Sequence, residues 1–338
     1  MCIRDSYDTD GTTEIEYDDN SGDGFASRII WTAPLNDTYY VMARHSNSAA
    51  HGGTTQYNLS ITSRIPSTYT VCTSGCDYTS IQAAIDAAHA GDMIEVHSGT
   101  YYENVVVDKR LTLRGIGLPV VNAIGSGSAI TITADHCTVE GFYATGSEST
   151  SNNAGIRIES DNNNILNNTA SNNLNDGIYL THSSGNTLTN NVANSNKYGI
   201  HMDYSSNNIL SSNTASKNDY GIILGYSCNN TLTNNTASSN NYAGSGILLS
   251  YASYNTLHSN NCSNNYNGIY LSSSSSNTLA ENNASNNWNK GIDLYYSSNN
   301  NTLTCNTVSN NQYYGIYLHT LSNNNALTRN IASNNRYG

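Results

Sequence analysis

The side chains with the greatest capacity for chemistry fall into two short segments of similar design. Arg157 and Glu159 stand two residues apart, and His201 and Asp203 repeat that spacing further along the chain. A guanidinium, an imidazole and carboxylates are groups that acid–base catalysis uses, and cleavage of a glycosidic bond needs a pair of carboxylates. Glu159 and Asp203 are therefore candidates for such a pair, provided that the fold brings the two segments together.

A repeat in the sequence supplies the elements that would align these segments. A Gly-Ile pair returns at intervals of 22 to 25 residues, at Gly155, Gly177, Gly199, Gly221, Gly246, Gly268, Gly291 and Gly315. Within each copy the apolar residues stand two apart, as Ile178 and Leu180 do, which is the periodicity of a strand. A repeat of this length built from strands predicts a solenoid whose stacked coils lie ~4.8 Å apart.

Such a solenoid predicts columns of equivalent side chains on its outer surface. The residue two after each glycine stands between buried neighbours and faces outward. This column reads Arg157, Tyr179, His201, Ile223, Leu248, Tyr270, Asp293 and Tyr317, and the column two residues further reads Glu159, Thr181, Asp203, Gly225, Ser250, Ser272, Tyr295 and His319. Glu159 and Asp203 are expected at roughly 9.6 Å, near the upper limit for an inverting pair. Because exterior strand positions are usually polar without any catalytic task, catalysis is the alternative and not the leading interpretation.

Aromatic surface comes mainly from tyrosine, with 26 Tyr against two Trp and two Phe. A further column, five residues after the glycine, holds His182, Tyr204, Tyr226, Tyr251 and Tyr296. Tyrosine suits half-wet positions and stacking on sugars, although stacked tyrosines also stabilise a solenoid without a ligand. We favour the structural role for the column. The carbohydrate-binding candidates are Tyr179, Tyr204, Tyr226, Tyr251, Tyr270, Tyr296 and Tyr317.

Asparagines recur at two fixed places in successive copies. One set is Asn186, Asn208, Asn230, Asn255 and Asn277, and the other is Asn191, Asn213, Asn235, Asn260 and Asn282. Asparagine tolerates the left-handed backbone of a sharp bend, and its amide can bond to the same amide one coil away. The sets are therefore expected to form hydrogen-bonded ladders at the bends.

The repeat resembles those of the right-handed parallel β-helix families, namely the NosD-like and the carbohydrate-binding and sugar-hydrolysis domain proteins. The resemblance covers about residues 68–338 and includes the segment 78–92, similar to the opening of pectin methylesterases and many surface β-helix proteins. In that segment Thr79 to Gln82 has the form of a capping box, and Ile81, Ala84 and Ile85 give a helix one apolar face. The expected fold is all-β: a right-handed parallel β-helix solenoid with an N-terminal capping helix over its open end.

The first part of the chain has a different composition and lacks the repeat. It contains the stretches Tyr7-Asp-Thr-Asp-Gly11, Asp18-Asp-Asn-Ser-Gly-Asp-Gly24 and Thr38-Tyr-Tyr-Val41. With these, residues 1–64 resemble the later strands of a bacterial pre-peptidase C-terminal domain, which implies a partial β-sandwich. We expect a linker at 65–78, the cap and first coils at 79–135, and β-helix repeats at 136–338, in a fragment open at both ends. Oxygen ligands for Ca²⁺ are offered by Asp8, Asp10, Asp18, Asp19 and Asp23. Their spacing does not fit an EF-hand, and acidic turn residues are more often simply solvated.

Charge and cysteine usage limit the partners. The formal net charge of −12 argues against nucleic acid, and no apolar run approaches the ~18 residues of a spanning helix. Copper is implied by the NosD-like resemblance, but Cu(I) favours clustered Cys or Met. The four methionines are scattered and no Cys-x-x-Cys occurs, so the residues do not support copper. Cys72 and Cys76 are close enough in sequence to close a small loop in an oxidising compartment.

The leading interpretation is an extracellular or cell-surface β-helix protein that binds glycans, adheres or forms surface structure without catalysis. Its partners would be polysaccharides or cell-surface glycans. One alternative is a polysaccharide lyase or glycoside hydrolase that uses a surface groove, with Arg157, Glu159, His201 and Asp203 as its residues. A second is a NosD-like periplasmic accessory protein that handles metal. The oligomeric state stays open.

Overall fold

The computed structural model describes residues 64–150, 152–241 and 244–338 in full, together with the backbone of three earlier segments. Those segments are strands β1 (Cys2–Tyr7), β2 (Glu14–Glu16) and β3 (Tyr40–Arg44), which form an antiparallel sheet in the order β2-β1-β3. The chain divides into two units, Met1–Pro66 and Ser67–Gly338. The pre-peptidase resemblance of the first unit stays a prediction.

The second unit is a right-handed parallel β-helix of about 11 turns, which confirms the predicted fold class. In its described residues the strands form three parallel sheets. The twelve-stranded sheet contains β4 (Thr68–Val71), β5 (Met93–His97), β8 (Thr112–Ile116), β11 (Thr138–Glu140), β14 (Asn164–Leu166), β17 (Thr187–Thr189), β19 (Ile209–Ser211), β21 (Thr231–Thr233), β23 (Thr256–His258), β25 (Thr278–Ala280), β27 (Thr302–Thr304) and β29 (Ala326–Thr328). The ten-stranded sheet contains β7 (Val105–Val107), β10 (Ile130–Ile132), β13 (Ala154–Ile158), β16 (Asp176–Thr181), β18 (Tyr198–Asp203), β20 (Tyr220–Gly225), β22 (Ser245–Ser250), β24 (Asn267–Ser272), β26 (Lys290–Tyr295) and β28 (Tyr314–Leu318). The four-stranded sheet contains β6 (Thr100–Tyr101), β9 (Val120–Asn122), β12 (Tyr143–Thr145) and β15 (Thr169–Ala170).

Each coil contributes the same few side chains to the core. In the coil that begins at Gly177, Ile178 and Leu180 point inward from the ten-stranded sheet and Leu188 from the twelve-stranded sheet, and all three are fully buried. The register pairs Ile178 with Ile200 and Leu188 with Leu210, so identical positions stack along the axis. Because of this register, the residues of each outward column predicted from the sequence lie one above the other along the axis.

The asparagine ladders form as predicted, but the left-handed residues lie elsewhere. Asn208 and Asn213 are buried, and each side-chain oxygen accepts from the backbone N–H of the equivalent asparagine one coil earlier, at 2.8 and 2.9 Å. The positive φ angles belong to the preceding residues, Asn207 and Ser212. The ladder asparagines therefore serve as buried hydrogen-bonding groups, while exposed residues before them make the bends.

A third ladder, absent from the sequence analysis, explains the glycine that begins each coil. It consists of Asn173, Asn196, Asn218, Asn240, Asn265, Asn287, Asn311 and Asn335. A Cβ added to Gly177 would lie 2.5 Å from Nδ2 of Asn196 and 2.6 Å from the carbonyl oxygen of Gly199. No side chain fits at that distance, so the glycine permits the close approach of the ladder.

The first coils carry a short helix, α1 (Ile81–Ala87), which buries Ile81, Ala84 and Ile85. Its N-cap is Ser80 and not Thr79, and the expected capping box does not form. Instead the carboxylate of Glu103 accepts hydrogen bonds from the N–H groups of Ile81 and Gln82 at 3.0 and 2.9 Å. The residues expected as a linker, 65–78, include β4, which pairs with β5. Cys72 and Cys76 form a disulfide in the loop that follows β4.

Candidate functional site

The outward side of the ten-stranded sheet, here called the outer face, brings most of the candidate side chains together. Its register pairs Tyr179 with Arg157 on one side and with His201 on the other. Further along, Tyr270 pairs with Asp293 and Asp293 with Tyr317. The predicted outward column is therefore present as one continuous line of side chains.

The four catalytic candidates do not form one constellation. Arg157 donates a hydrogen bond to the carboxylate of Glu159, so these two residues pair with each other. His201 bonds through Nδ1 to Asp176 Oδ1 at 3.2 Å. Asp203 lies on the same strand as His201, in register with Thr181 and Gly225. With Glu159 held by Arg157 and His201 held by another carboxylate, the geometry lends no support to a Glu159–Asp203 pair.

Asp176, Tyr179, Tyr198 and His201 form what we call the Asp176 cluster. Asp176 is only 1% exposed, and burial raises the pKa of its carboxyl, while the hydrogen bond from His201 opposes that rise. The His201 ring lies 5.0 Å from the ring of Tyr179 and 5.3 Å from that of Tyr198, between ring centroids. Lys197 places its ammonium 4.9 Å above the Tyr198 ring. A buried carboxylate thus holds an imidazole in an aromatic setting.

A second group of the same design, the Asp293 cluster, consists of Lys290, Asp293, Tyr317 and His319. Asp293, 3% exposed, bonds to Lys290 Nζ at 2.6 Å and to His319 Nε2 at 3.1 Å. The Lys290 ammonium also lies 4.8 Å from the Tyr317 ring centroid, and that ring stacks on His319 at 4.2 Å. The two clusters are five coils apart, or ~24 Å at the usual strand spacing.

Asp176 and Lys290 were missed because both precede the glycine that starts the coil. Strict alternation from the buried Ile178 would turn position 176 inward as well. The pairing of β16 with β18 joins Asp176 to Tyr198 and Ile178 to Ile200, but Gly177 has no partner in it. The alternation is interrupted at the glycine, and the residue before it lies beside the outward column. A polar or aromatic side chain at this place in most coils was the available signal.

Half-buried tyrosines lie on the outer face in each coil from Gly199 to Gly315 except the coil that begins at Gly246. They are Tyr198, Tyr220, Tyr270, Tyr295, Tyr314 and Tyr317. Burial raises the pKa of the Tyr270 hydroxyl, and the charge of Asp293 adds to the rise. Tyr179 is buried more deeply, and its pKa is raised by burial as well. Rings that are part covered and part wet offer an apolar surface with a polar rim.

The column five residues after the glycine forms a stack of rings at the bend that follows the outer face, here called the ring stack. His182 and Tyr204 lie 5.2 Å apart, Tyr204 and Tyr226 4.9 Å, and Tyr226 and Tyr251 5.0 Å, with interplanar angles of 13°, 4° and 5°. Each inner ring has another ring on both sides, so Tyr204 and Tyr226 present edges and not faces to solvent. This geometry favours the structural role for those two tyrosines. Tyr296 stands apart from the stack, beyond Ser273.

Metal sites find little support in the described residues. Across 64–150, 152–241 and 244–338, no three His, Cys, Asp or Glu side chains come together as ligands. The calcium candidates Asp8, Asp10, Asp18, Asp19 and Asp23 lie outside the described residues. In the described part of the chain, no helix has the length and apolar character needed to cross a bilayer.

The fold and the outer face define a parallel β-helix protein with an aromatic, histidine-bearing surface. The chain matches the profile of the family described as periplasmic copper-binding protein (NosD) over residues 121–292 and 280–338. These stretches cover more than half of the sequence, so the protein belongs to this family, as its repeats predicted.

Other similarities are narrower. A cell surface glycoprotein of Methanothermus fervidus is 39% identical over 99 residues, which make up 28% of this chain and 16% of that protein. The A-module of mannuronan C-5 epimerase AlgE4 from Azotobacter vinelandii has a TM-score of 0.57 at 17% identity, covering 76% of this chain and 91% of the module. The Dettilon tailspike protein has a TM-score of 0.55 at 14% identity, covering 72% and 56%. At these identities the two solved structures show the fold alone.

The described residues do not fit the copper that the family description names. Copper favours thiolate, thioether and imidazole ligands gathered at one point. Cys137, Cys262 and Met202 are separately buried in the core, and burial raises the pKa of the Cys137 thiol to about 11, which disfavours the thiolate. His201 and His319 belong to clusters five coils apart. These donors form no copper centre.

Proposed function

We propose that the protein acts at the cell surface or in the periplasm, where its outer face binds a polysaccharide. The observation that carries the proposal is the set of half-buried tyrosines on the outer face, of which Tyr220 and Tyr270 lie between the Asp176 and Asp293 clusters. A sugar ring offers an apolar C–H face and a rim of hydroxyls, which match a tyrosine ring and its hydroxyl. The ~24 Å between the clusters suits an extended chain better than a compact ligand.

The comparisons support the compartment and the class of ligand. The family is described as periplasmic, and the relative with 39% identity is a cell surface glycoprotein. The epimerase module with the same fold is named for its action on mannuronan, an acidic polysaccharide. These are properties of the other proteins, and they make glycans the first ligands to test.

Charge decides which part of the face an acidic glycan would use. The chain carries a formal −12, which repels polyanions in general. In the Asp293 cluster, however, one carboxylate is bonded to both a lysine and a histidine. An acidic polysaccharide is therefore expected to be repelled least at this end of the face, where the lysine offsets the charge of the buried carboxylate.

The test is calorimetric titration of the protein with mannuronan oligosaccharides and, as a neutral comparison, cello-oligosaccharides. Replacement of a central aromatic anchor, Tyr270→Ala, should weaken binding roughly tenfold or more. The matched control is Tyr254→Ala, because Tyr254 is exposed in the turn before β23 and away from the outer face. Equal losses in the two variants, or no binding of either oligosaccharide by the wild type, would contradict the proposal.

The two Asp–His pairs favour a second candidate function, acid–base modification of the bound polysaccharide. A buried carboxylate that fixes the orientation of an imidazole is the arrangement by which proteins position a histidine base. The measurement is release of reducing or unsaturated ends from uronic-acid polymers, with and without Ca²⁺. Loss of activity in His201→Ala or His319→Ala, with activity kept in Glu159→Gln and Asp203→Asn, is the expected pattern. Inactive wild-type protein that still binds the polymers would refute this candidate.

A further inference from the structure

The coils that follow Asp293 differ in charge from the rest of the chain. The formal charge of the whole chain is −12, but after Asp293 the sequence contains Arg329 and Arg336 and no Asp or Glu. Arg336 lies beside the outer face, because the next residue, Tyr337, forms a bridge with Tyr314 of β28. Arg336 therefore adds a positive charge to this end of the face.

Two tyrosine rings hold the guanidinium of Arg336. Its Cζ lies 5.7 Å from the ring centroid of Tyr313 and 5.5 Å from that of Tyr337. The N–H of Tyr337 donates to the carbonyl oxygen of Tyr313 at 2.7 Å, which joins the two coils at this point. In the part of the chain that the structure describes, no carboxylate forms an ion pair with Arg336, and its side chain is exposed. The rings therefore orient the guanidinium while its N–H groups stay open to a ligand.

A row of stacked rings lies next to Arg336, and we call it the edge row. It consists, in order, of Tyr337, Tyr314, Tyr317 and His319, with neighbouring ring centroids 4.9, 4.2 and 4.2 Å apart. Tyr314 and Tyr317 have a ring on each side and are still partly exposed, so they present their edges to solvent. The edge is the positive side of an aromatic ring, and the tyrosine hydroxyl is a hydrogen-bond donor. The edge row therefore suits the oxygen atoms of an anionic ligand.

The acidic groups of the outer face do not cancel the charge of Arg336. Asp293 is buried and bonded to Lys290 Nζ at 2.6 Å, so these two charges offset each other. Asp203 lies five coils before the coil of Tyr317, which amounts to ~24 Å. This distance exceeds the Debye length of about 8 Å at physiological ionic strength. Arg336 is therefore attractive to an anion although the chain as a whole is acidic.

We propose that Arg336 and the edge row form a subsite for the carboxylate of a uronic acid, so that the polysaccharide bound by the outer face is an acidic one. The planar fork of a guanidinium matches a carboxylate with two parallel hydrogen bonds. Ring edges and hydroxyls beside it receive the other oxygen atoms of the sugar. A neutral glycan would leave the N–H groups of Arg336 unused. This inference rests on the proposed function and specifies the class of its ligand.

The test removes one arginine at a time and compares an acidic with a neutral ligand. In calorimetric titration, Arg336→Gln should weaken binding of mannuronan oligosaccharides roughly tenfold and leave binding of cello-oligosaccharides unchanged. The matched control is Arg329→Gln, which removes the same charge from an exposed residue directly after β29, in the twelve-stranded sheet and away from the outer face. It should keep the affinity for mannuronan within about twofold of the wild type. Because both arginines are exposed, both variants should unfold at the temperature of the wild type.

The possible results separate this subsite from the outer face as a whole. Unchanged mannuronan binding in Arg336→Gln, together with weaker binding in Tyr270→Ala, refutes the subsite and leaves the outer face standing. Equal losses in Arg336→Gln and Arg329→Gln also refute it, because they indicate general attraction and not a contact. If the wild type binds cello-oligosaccharides as tightly as mannuronan, the acidic class is refuted and the proposed function stands. If it binds neither, both proposals fail together.

Discussion

The buried amide of Asn235 offers a sharp test of how the coils are held together. Its side chain makes four hydrogen bonds with the coils before and after it. Its oxygen accepts from the backbone N–H and from Nδ2 of Asn213 at 2.9 and 3.0 Å. Its Nδ2 donates to the Leu210 carbonyl at 2.9 Å and to Asn260 Oδ1 at 3.0 Å. Asn235→Ala removes all four bonds at a fully buried position.

The magnitude follows from the backbone groups that lose a partner. The N–H of Asn213 and the carbonyl of Leu210 are each deprived of a bond, and an unsatisfied buried group costs about 1–3 kcal/mol. The free energy of unfolding should therefore fall by about 2–6 kcal/mol. The assay is urea unfolding followed by circular dichroism in the β-sheet region.

The adjacent residue supplies the control. Asn234 is exposed and has a φ of 56°, a conformation that glycine adopts without strain. Asn234→Gly should change the free energy of unfolding by no more than about 0.5 kcal/mol. Equal effects of the two substitutions, or a loss below about 1 kcal/mol in Asn235→Ala, would refute the view that buried amides join the coils.

Three further predictions concern the glycines, a buried carboxylate and the thiols. Gly221→Ala should destabilise the fold by about 1–3 kcal/mol or more in urea unfolding, because its Cβ would lie 2.4 Å from the Gly246 carbonyl oxygen. Gly225→Ala, whose nearest neighbour is a side-chain oxygen at 3.1 Å, should be close to neutral, and a reversed order would contradict the packing. Burial raises the pKa of Asp176, so the folded state binds the carboxyl proton more tightly than the unfolded state does. The wild type therefore loses stability as the pH rises from the ordinary Asp pKa of ~3.9 to the raised pKa of Asp176 in the folded protein. The stability of Asp176→Asn relative to wild type should increase across that interval in thermal melts, and a decrease would show that the pKa is lowered instead. A thiol reagent should label exposed Cys305 in the folded protein and reach Cys137 and Cys262 only after denaturation, because both thiols are buried and burial raises their pKa. Labelling is read by mass spectrometry, and rapid labelling of Cys262 in the folded protein would contradict its burial.

Much of the solenoid could be predicted because its sequence repeats in step with its structure. The Gly-Ile pairs and the alternation of Ile178 with Leu180 indicated strands, and equal spacing indicated stacked coils. Once the glycines are aligned, the outward column through Tyr179, His201 and Tyr270 follows without further information. The register confirms that column.

The third ladder was overlooked although it lies at a constant distance after most glycines. Its distance to the following glycine varies, because coils of different length place most of their extra residues between the two. The assignment of left-handed φ to the ladder asparagines was wrong for a physical reason. The side chain of a buried ladder asparagine must point along the axis to reach the next coil. The left-handed residue of the bend is therefore the exposed residue before it, as Asn207, Ser212 and Lys217 show.

The candidate site was predicted only in part. The outward column was found, but the partners within it depend on side-chain geometry that spacing does not carry. Glu159 lies close enough to Arg157 to pair with it, and the glycine that interrupts the ladder brings Asp176 to His201. The same interruption brings Lys290 to Asp293. Periodicity alone assigns the positions before the glycine to the interior, so neither partner could be selected from it.

Hydroxyl-radical footprinting of the protein with and without bound oligosaccharide tests the role of the outer face most directly. Oxidation of each tyrosine is read by mass spectrometry, and ligand contact lowers it. If the outer face binds the glycan, Tyr198, Tyr270 and Tyr317 on that face are protected, while Tyr254 and Tyr102 are oxidised to the same extent in both samples. Protection of Tyr254 or Tyr102 without protection of Tyr270 would contradict binding at the outer face.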